Sequence, residues 1–265
     1  GINIEINGEQ FDLNTCKEVK NFRRELNMKE GILNRSFVAV LPSGLEIEVF
    51  VRRFLAADLD ELGAIKYDIK PLNGDAKIVY KPYVDAYVKN EDANWEEIFW
   101  ESIGSEIKGE QGFVQARTFK THYNVVTYME NAIFINGEKQ AITPTATKTE
   151  WKVEFTYEVN VKVNETATIQ KFGGYVVSTN HKENELIAAA ENVLAQAKAL
   201  GYEQLLTKQK QAWAKTWEMA DITIDGDVKA QQGIRFNIFQ LNQTYSGKDA
   251  RLNIGPKGFT GEKYG

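Results

Sequence analysis

The first two thirds of the chain alternate between apolar and polar residues, a pattern typical of β-strands. The alternating segment 2–6 runs into Asn7-Gly8, a pair that favours the two positive φ angles of a tight hairpin turn. Residues 133–138 repeat this arrangement around Asn136-Gly137. Further alternating segments cover residues 36–41, 45–50, 62–70, 76–84, 113–119, 122–129, 151–163 and 166–179. Many short strands separated by tight turns predict a mainly β domain over residues 1–179, built as a large antiparallel two-sheet β-sandwich.

From residue 180 the apolar spacing changes from two residues to about 3.6, which predicts helices. Asn180 is placed to cap the first helix, and Gly201 is a natural C-terminal stop. A second helix is expected directly after this glycine, so that residues 180–220 form a helical hairpin. Trp213 and Trp217 fall on its apolar stripe, which favours a packing role over a sugar-binding one.

A third helix is predicted over residues 231–245, with Asp227 placed to cap its start. Its apolar positions are Ile234, Phe236, Ile238, Phe239, Leu241 and Tyr245. Glutamine and asparagine amides lie between them, and each amide buried without a partner would cost about 1–3 kcal/mol. The helix is therefore expected to be buried on most of its circumference within a network that satisfies its amides. The alternative is a helix whose amides simply bond neighbouring loops.

The segment 89–104 interrupts the strand pattern with acidic residues and two tryptophans. Trp95 and Phe99 are at helical spacing, which predicts a short helix. It is expected either to be a surface helix pinned to the sandwich, or a loop that reaches another domain or a second subunit. Its acids, Glu101 among them, are expected to face solvent and not to form a glycosidase pair.

Composition narrows the functional classes. Lysine and arginine total 32 against 37 acidic residues, a net charge of −5, which argues against a nucleic-acid surface. No apolar run approaches the roughly 18 residues needed to span a membrane. The single Cys16 cannot form an intramolecular disulfide, which favours a reducing compartment and a cytoplasmic location.

Candidate catalytic side chains are few. His122 in a predicted strand and His181 in the first turn of a predicted helix lack the neighbouring ligands that a metal site needs, so no metal is expected. Neither histidine has an evident serine or cysteine partner for nucleophilic catalysis. The spacing of Gly255, Gly258 and Gly261 does not match a phosphate-binding loop. We interpret these glycines as residues that allow an irregular loop conformation.

Two C-terminal stretches carry a family resemblance: GIRFNIFQLNQT (233–244) and NIGPKGFTGEKYG (253–265). They resemble the start of the catalytic domain in the inverting glycoside phosphorylases that include the maltose, trehalose and kojibiose phosphorylases. The likeness extends over essentially the whole chain and is strongest to the maltose phosphorylases. It implies a galactose mutarotase-like supersandwich over residues 1–179, a helical linker over 180–220, and the first helix of an (α/α)₆ barrel within 221–265.

The resemblance also implies that the catalytic acid and the sugar-binding Trp-Asp pair of the family lie beyond Gly265. The chain is therefore expected to be an N-terminal fragment without catalytic residues, inactive by itself. Glu262, Lys263 and Tyr264 are expected to approach the substrate site in the intact enzyme.

For the intact enzyme the resemblance implies inverting phosphorolysis of maltose to glucose and β-glucose 1-phosphate. Disaccharide and inorganic phosphate would be the substrates, with no cofactor or metal, and the enzyme would be a cytoplasmic homodimer. Two alternatives stay open. The sandwich is a non-catalytic carbohydrate-binding or dimerisation module, or the substrate is kojibiose, trehalose or nigerose.

Overall fold

The structure is a computed structural model that describes residues 1–89 and 98–251. Within these ranges the strands are β1 (Ile2–Ile6), β2 (Glu9–Gln10), β3 (Glu18–Asn27), β4 (Ile32–Val40), β5 (Glu46–Leu55), β6 (Leu62–Pro71), β7 (Ala76–Asp85), β8 (Trp100–Lys108), β9 (Gln111–Thr118), β10 (Asn124–Ile135), β11 (Glu138–Lys139), β12 (Thr145–Lys148), β13 (Lys152–Val161) and β14 (Ala167–Val177). A 3₁₀ helix (Glu183–Glu185) leads into α1 (Leu186–Ala220), and α2 (Val228–Thr244) follows. No helix in this part of the chain is long and apolar enough to cross a membrane.

The strands form two antiparallel sheets, as predicted. The small sheet has the order β12-β13-β7-β1-β2. The large sheet has the order β3-β4-β5-β6-β14-β10-β9-β8, with β11 paired to β10. Strand β6 belongs to the large sheet and β7 to the small one, so the chain changes sheets at the turn between them. The two Asn-Gly hairpin turns are confirmed, since Asn7, Gly8, Asn136 and Gly137 all have positive φ.

The large sheet is covered on both faces. Apolar side chains of one face, such as Ile47, Tyr67 and Ile169, pack with Ile78 and Phe155 of the small sheet. The other face carries the side chains at the intervening positions of the same strands, and it packs against α1. This second cluster contains Phe54, Leu62, Phe172, Leu186, Leu194 and Leu205. The strands therefore alternate between two apolar layers where α1 covers them, and the fold has three layers.

Buried polar groups also connect the two sheets. The Lys171 ammonium, on the large sheet, donates to the carbonyl oxygens of Tyr83 at 2.6 Å and Gly1 at 2.9 Å. Burial lowers the pKa of Lys171 to about 8. The Tyr80 hydroxyl donates to the Ala167 carbonyl at 3.1 Å. These hydrogen bonds satisfy groups that would be costly to leave unpaired in the core.

Four local predictions were wrong, one of them the placement of His181 in the first turn of a helix, because His181 lies in a bend before the 3₁₀ helix. The end of the segment expected to be helical, residues 100–104, belongs to β8, where it pairs with β9; Trp95 lies outside the described residues. Asn180 does not cap a helix, because the chain turns there and α1 begins only at Leu186. His122 lies in the turn before β10 with φ of 53°, not in a strand.

The helical predictions after residue 186 are confirmed in outline. Gly201 has φ of 73° and ψ of 165°, which breaks α1 into two helical segments at the predicted stop. The Asp227 carboxylate accepts from the Ala230 amide at 2.9 Å and caps α2 as predicted. The last strand ends at Val177, but the proposed domain boundaries at 179/180 and 220/221 stay predictions.

Gly174 offers a test of how closely the 56–61 loop and β14 must approach. A Cβ at this position would overlap the backbone carbonyl of Glu61. We expect Gly174→Ala to lower the free energy of unfolding by about 1–3 kcal/mol, because a backbone segment must move. The matched control is Gly233→Ala in α2, where a Cβ would meet no atom within 4 Å. Urea unfolding followed by circular dichroism measures both, and a Gly174→Ala protein as stable as the control would contradict the packing described.

Candidate functional site

The predicted site residues Glu262, Lys263 and Tyr264 lie outside the described residues, so their role stays a prediction. The chain can be followed to Arg251, through the region where α2 and the following residues meet α1 and the sandwich. We call this region the junction. It consists of the 56–61 loop between β5 and β6, the second segment of α1 (202–220), and residues 221–251.

Gln209 is the buried polar contact between α1 and the loops of the large sheet. Its side chain is only 1% exposed. The amide oxygen accepts from the Ala57 backbone N–H at 2.9 Å, and the amide nitrogen donates to the Gly31 carbonyl at 3.0 Å. Both backbone groups lie in loops, where no strand neighbour satisfies them. Gln209 thereby fixes the β3–β4 and β5–β6 connections to one point on α1.

The 56–61 loop is held by two ion pairs and a histidine–carboxylate contact from distant parts of the chain. They are Lys208 to Asp58 at 3.1 Å, His181 Nε2 to Glu61 at 2.7 Å, and Lys248 to Asp60 at 2.6 Å. Lys248 also donates to the Ala57 carbonyl at 2.7 Å. The Tyr128 hydroxyl donates to the Glu61 carbonyl, and burial raises the pKa of this phenol well above its usual range. The loop thus connects α1, the large sheet and the segment after α2.

Arg251 fixes the last described residues to the sandwich. Its guanidinium donates to the Thr179 carbonyl, to Asn180 Oδ1 at 2.6 Å and to Asp249 Oδ2 at 2.6 Å. The guanidinium and the backbone N–H of Arg251 both donate to the Asp249 carboxylate, and with the positive charge of Arg251 they lower the pKa of Asp249 to about 2. Asn180, expected to be a helix cap, instead accepts a hydrogen bond from Arg251.

Aromatic stacking docks α2 onto α1. The Phe239 ring is fully buried and lies 4.6 Å from the Trp213 ring between centroids, at an interplanar angle of 29°. Trp217 lies beside Trp213 at 6.2 Å and donates its indole N–H to the Met28 carbonyl at 3.0 Å. The prediction that Trp213 and Trp217 are packing residues is confirmed.

The rest of α2 contradicts the expectation of a mostly buried helix. Val228 is 84% exposed, Leu241 is 62% exposed and Phe236 is 45% exposed. In the described part of the chain, α1 provides the apolar surface against which Phe239 packs. The alternative expectation, that the amides of α2 bond neighbouring loops, is met at Gln231. Its side chain donates to the Ile222 carbonyl at 2.8 Å and accepts from the Ile224 backbone N–H at 2.7 Å.

The remaining candidates have structural partners. Glu101 forms an ion pair with Arg117, with a 2.8 Å contact to the guanidinium Nε. His181 precedes the 3₁₀ helix, and its pairing with Glu61 could not be read from the sequence, because the two residues lie far apart along the chain. The same separation conceals the partners of Asp58 and Asp60. The only local signal was the acidic run in Asp58–Glu61, which is by itself typical of an exposed turn.

Gln209→Leu tests the buried link between α1 and the loops. We expect it to lower the free energy of unfolding by about 2–4 kcal/mol, because the Ala57 N–H and the Gly31 carbonyl would both lose their partner. Gln211→Leu, at an exposed position of the same helix, is the control. Chemical denaturation compares the two, and similar effects at both positions would exclude a special role for Gln209.

Phe239→Ala tests whether a single ring docks α2. We expect backbone hydrogen exchange within α2 to rise, because Phe239 is the residue of this helix that is fully buried, while exchange in the large sheet stays unchanged. Phe236→Ala removes a half-exposed ring of equal size from the same helix and is the control. Hydrogen exchange read by mass spectrometry distinguishes them, and equal protection of α2 in both variants would contradict this docking.

Comparison with known proteins places the chain in a family. Residues 1–216 match the N-terminal domain of glycosyl hydrolase family 65, and residues 235–265 match the central catalytic domain of that family. The chain is 40% identical over 265 residues to the maltose phosphorylase of Bacillus subtilis, covering 100% of this chain and 34% of the relative. It is 29% identical over 271 residues to the alpha,alpha-trehalose phosphorylase of Thermoanaerobacter brockii, covering 99% and 34%.

Comparison with a solved structure shows that the fold is also shared. The chain aligns with a protein from the human microbiome, provisionally assigned as a kojibiose phosphorylase, at a TM-score of 0.85 and 22% identity. The alignment covers 97% of this chain and 33% of that protein. The chain spans about a third of the length of these relatives. The resemblance found in the sequence is confirmed, and the chain belongs to glycosyl hydrolase family 65.

Proposed function

We propose that this chain is the N-terminal third of an inverting disaccharide phosphorylase that acts on maltose. The observation that carries this proposal is the 40% identity to a maltose phosphorylase across all 265 residues. The identity is 29% to the trehalose phosphorylase and 28% to a kojibiose phosphorylase of Caldanaerobacter subterraneus. The difference favours maltose over trehalose and kojibiose as the substrate.

The proposed reaction needs one acid and one bound anion. A carboxylic acid protonates the glycosidic oxygen while inorganic phosphate attacks the opposite face of the anomeric carbon through an oxocarbenium-like transition state. The products are glucose and β-glucose 1-phosphate. Because phosphate is already an anionic nucleophile, no second carboxylate has to activate it, and hydrogen-bond donors orient it instead. We therefore propose a reaction without cofactor or metal.

In this proposal the chain supplies the scaffold and the entrance to the catalytic domain. Helix α2 is the first helix of the barrel, and its exposed apolar residues Phe236 and Leu241 would pack against later helices. Contacts of Lys248 and Arg251 with the sandwich hold the chain in place at residues 248–251, ahead of Glu262, Lys263 and Tyr264 in sequence. We propose that these three residues approach the substrate site.

We further propose that the whole enzyme is a cytoplasmic homodimer and that this chain alone is inactive. The single Cys16 and the net charge of −5 suit a cytoplasmic protein. Inactivity follows from the proposed reaction, since its acid and its phosphate site belong to the domain of which α2 is the first helix. The competing function, a carbohydrate-binding module, would require maltose to bind this chain by itself.

The test is phosphate-dependent release of glucose 1-phosphate by the whole protein, with maltose, trehalose, kojibiose and nigerose supplied separately. We expect turnover of maltose, and none by the 265-residue chain under the same conditions. Turnover of a different disaccharide would correct the substrate and retain the reaction class. Absence of phosphorolysis with all four, together with calorimetric binding of maltose to this chain, would replace the proposal with the carbohydrate-binding function.

A further inference from the structure

Three arginines lie on one face of the large sheet near its β3 edge. Arg24 of β3 is directly opposite Arg35 of β4. Arg53 of β5 is directly opposite Leu33, two residues along β4 from Arg35. Alternate residues of a strand share a face, so Arg53 is the diagonal neighbour of Arg35 on that face, with Cα atoms about 7–8 Å apart. We call Arg24, Arg35 and Arg53 the arginine cluster.

The cluster lies at the margin of the core between the two sheets. Phe37 follows Arg35 on the same face of β4 and is buried in that core, as are Val51 and Tyr67. The Arg35 guanidinium is 5.6 Å from the Phe37 ring centroid. Arg24 and Arg53 are exposed. The Arg35 guanidinium therefore lies over an apolar ring at the edge of the core, and Arg24 and Arg53 are open to solvent beside it.

The cluster arginines differ from four other arginines of the described residues in forming no ion pair with a carboxylate. Arg23, Arg117, Arg235 and Arg251 each form an ion pair with a carboxylate, and Arg52 donates to Asn34. None of the three cluster arginines forms an ion pair within residues 1–89 and 98–251. Like charges directly opposite across two strands are destabilising. Partial burial, with the positive charges of Arg24 and Arg35, lowers the pKa of Arg53.

We propose that the arginine cluster binds a phosphate-type oxyanion, either inorganic phosphate or the phosphate group of a phosphomonoester. Guanidinium groups present planar pairs of N–H donors that match phosphate oxygens, and they stay charged at all physiological pH values. A doubly charged tetrahedral anion would accept from several guanidinium groups and cancel their mutual repulsion. Arg24 is directly opposite Arg35 and Arg53 is diagonal to it, so the three side chains start from neighbouring positions of one face. This assignment does not rest on the proposed function, because it concerns a surface of the sandwich.

The test is calorimetric titration of the 265-residue chain with inorganic phosphate and, separately, with glucose 1-phosphate, at constant ionic strength adjusted with sodium chloride. We expect saturable binding that is about tenfold weaker or more in Arg24→Gln and in Arg53→Gln, since each variant loses a charge-assisted contact. Tighter binding of glucose 1-phosphate than of phosphate would identify a phosphomonoester as the ligand, and equal or weaker binding would identify inorganic phosphate.

Arg23→Gln is the matched control. Arg23 precedes Arg24 on β3, points to the opposite face of the sheet opposite Ser36, and is paired with Glu25. We expect this variant to bind phosphate as the unaltered chain does. Loss of folding does not confuse the comparison, because the cluster variants relieve repulsion and are expected to have thermal midpoints at least equal to that of the unaltered chain.

Three results would overturn the assignment. The first is the absence of saturable binding by either anion. The second is an equal loss of affinity in Arg23→Gln, Arg24→Gln and Arg53→Gln, which would indicate nonspecific attraction to positive charge. The third is binding of a polyglutamate peptide without binding of phosphate, which would assign the cluster to an acidic protein partner instead.

Discussion

The structure depends on the need to bury both faces of the large sheet. Its strands carry apolar side chains on alternate positions toward the small sheet and toward α1. Neither layer can be removed without exposing a broad apolar surface to water, at roughly 25 cal/mol per Å². Helix α1, which follows the last strand, is therefore a part of the core of the N-terminal domain, in agreement with the family match over residues 1–216. This arrangement gives α1 a fixed position from which the next helix can start.

The contacts of the junction hold the 56–61 loop and the segment after α2 in place relative to α1. Gln209 provides hydrogen bonds to two loops, and the 56–61 loop then receives Lys208 from α1 and Lys248 from the segment after α2. The exposed ion pairs each contribute little, typically less than about 1 kcal/mol. The buried amide of Gln209 matters more, because loss of its partners leaves backbone groups unpaired. Stability at the junction thus resides in the amide and the aromatic stack, and the ionic contacts mainly select one arrangement of the loop.

Much of the fold could be predicted, because periodicity reports local burial. The Asn7-Gly8 turn, the Gly201 break and the Asp227 cap each follow from the conformational needs of a few neighbouring residues. Predictions failed where distant contacts decide. Asn180 has the side chain of a helix cap but accepts from Arg251. Phe99 has helical spacing with Trp95, although residues 100–104 pair with β9 in the large sheet. The site prediction rested on family resemblance, since no local pattern marks a residue that acts only in a completed domain.

Helix α2 explains why the same sequence pattern can be right about a helix and wrong about its burial. An apolar stripe in the sequence shows which side of a helix can be buried. It does not show which neighbouring element buries that side. Trp213 meets only the part of the stripe around Phe239, so Phe236 and Leu241 stay accessible in the described chain. The amide-rich face is satisfied locally at Gln231, and Arg235 is satisfied by Asp221. Its polar contacts therefore do not require further helices, whereas its apolar surface is what a catalytic domain would use.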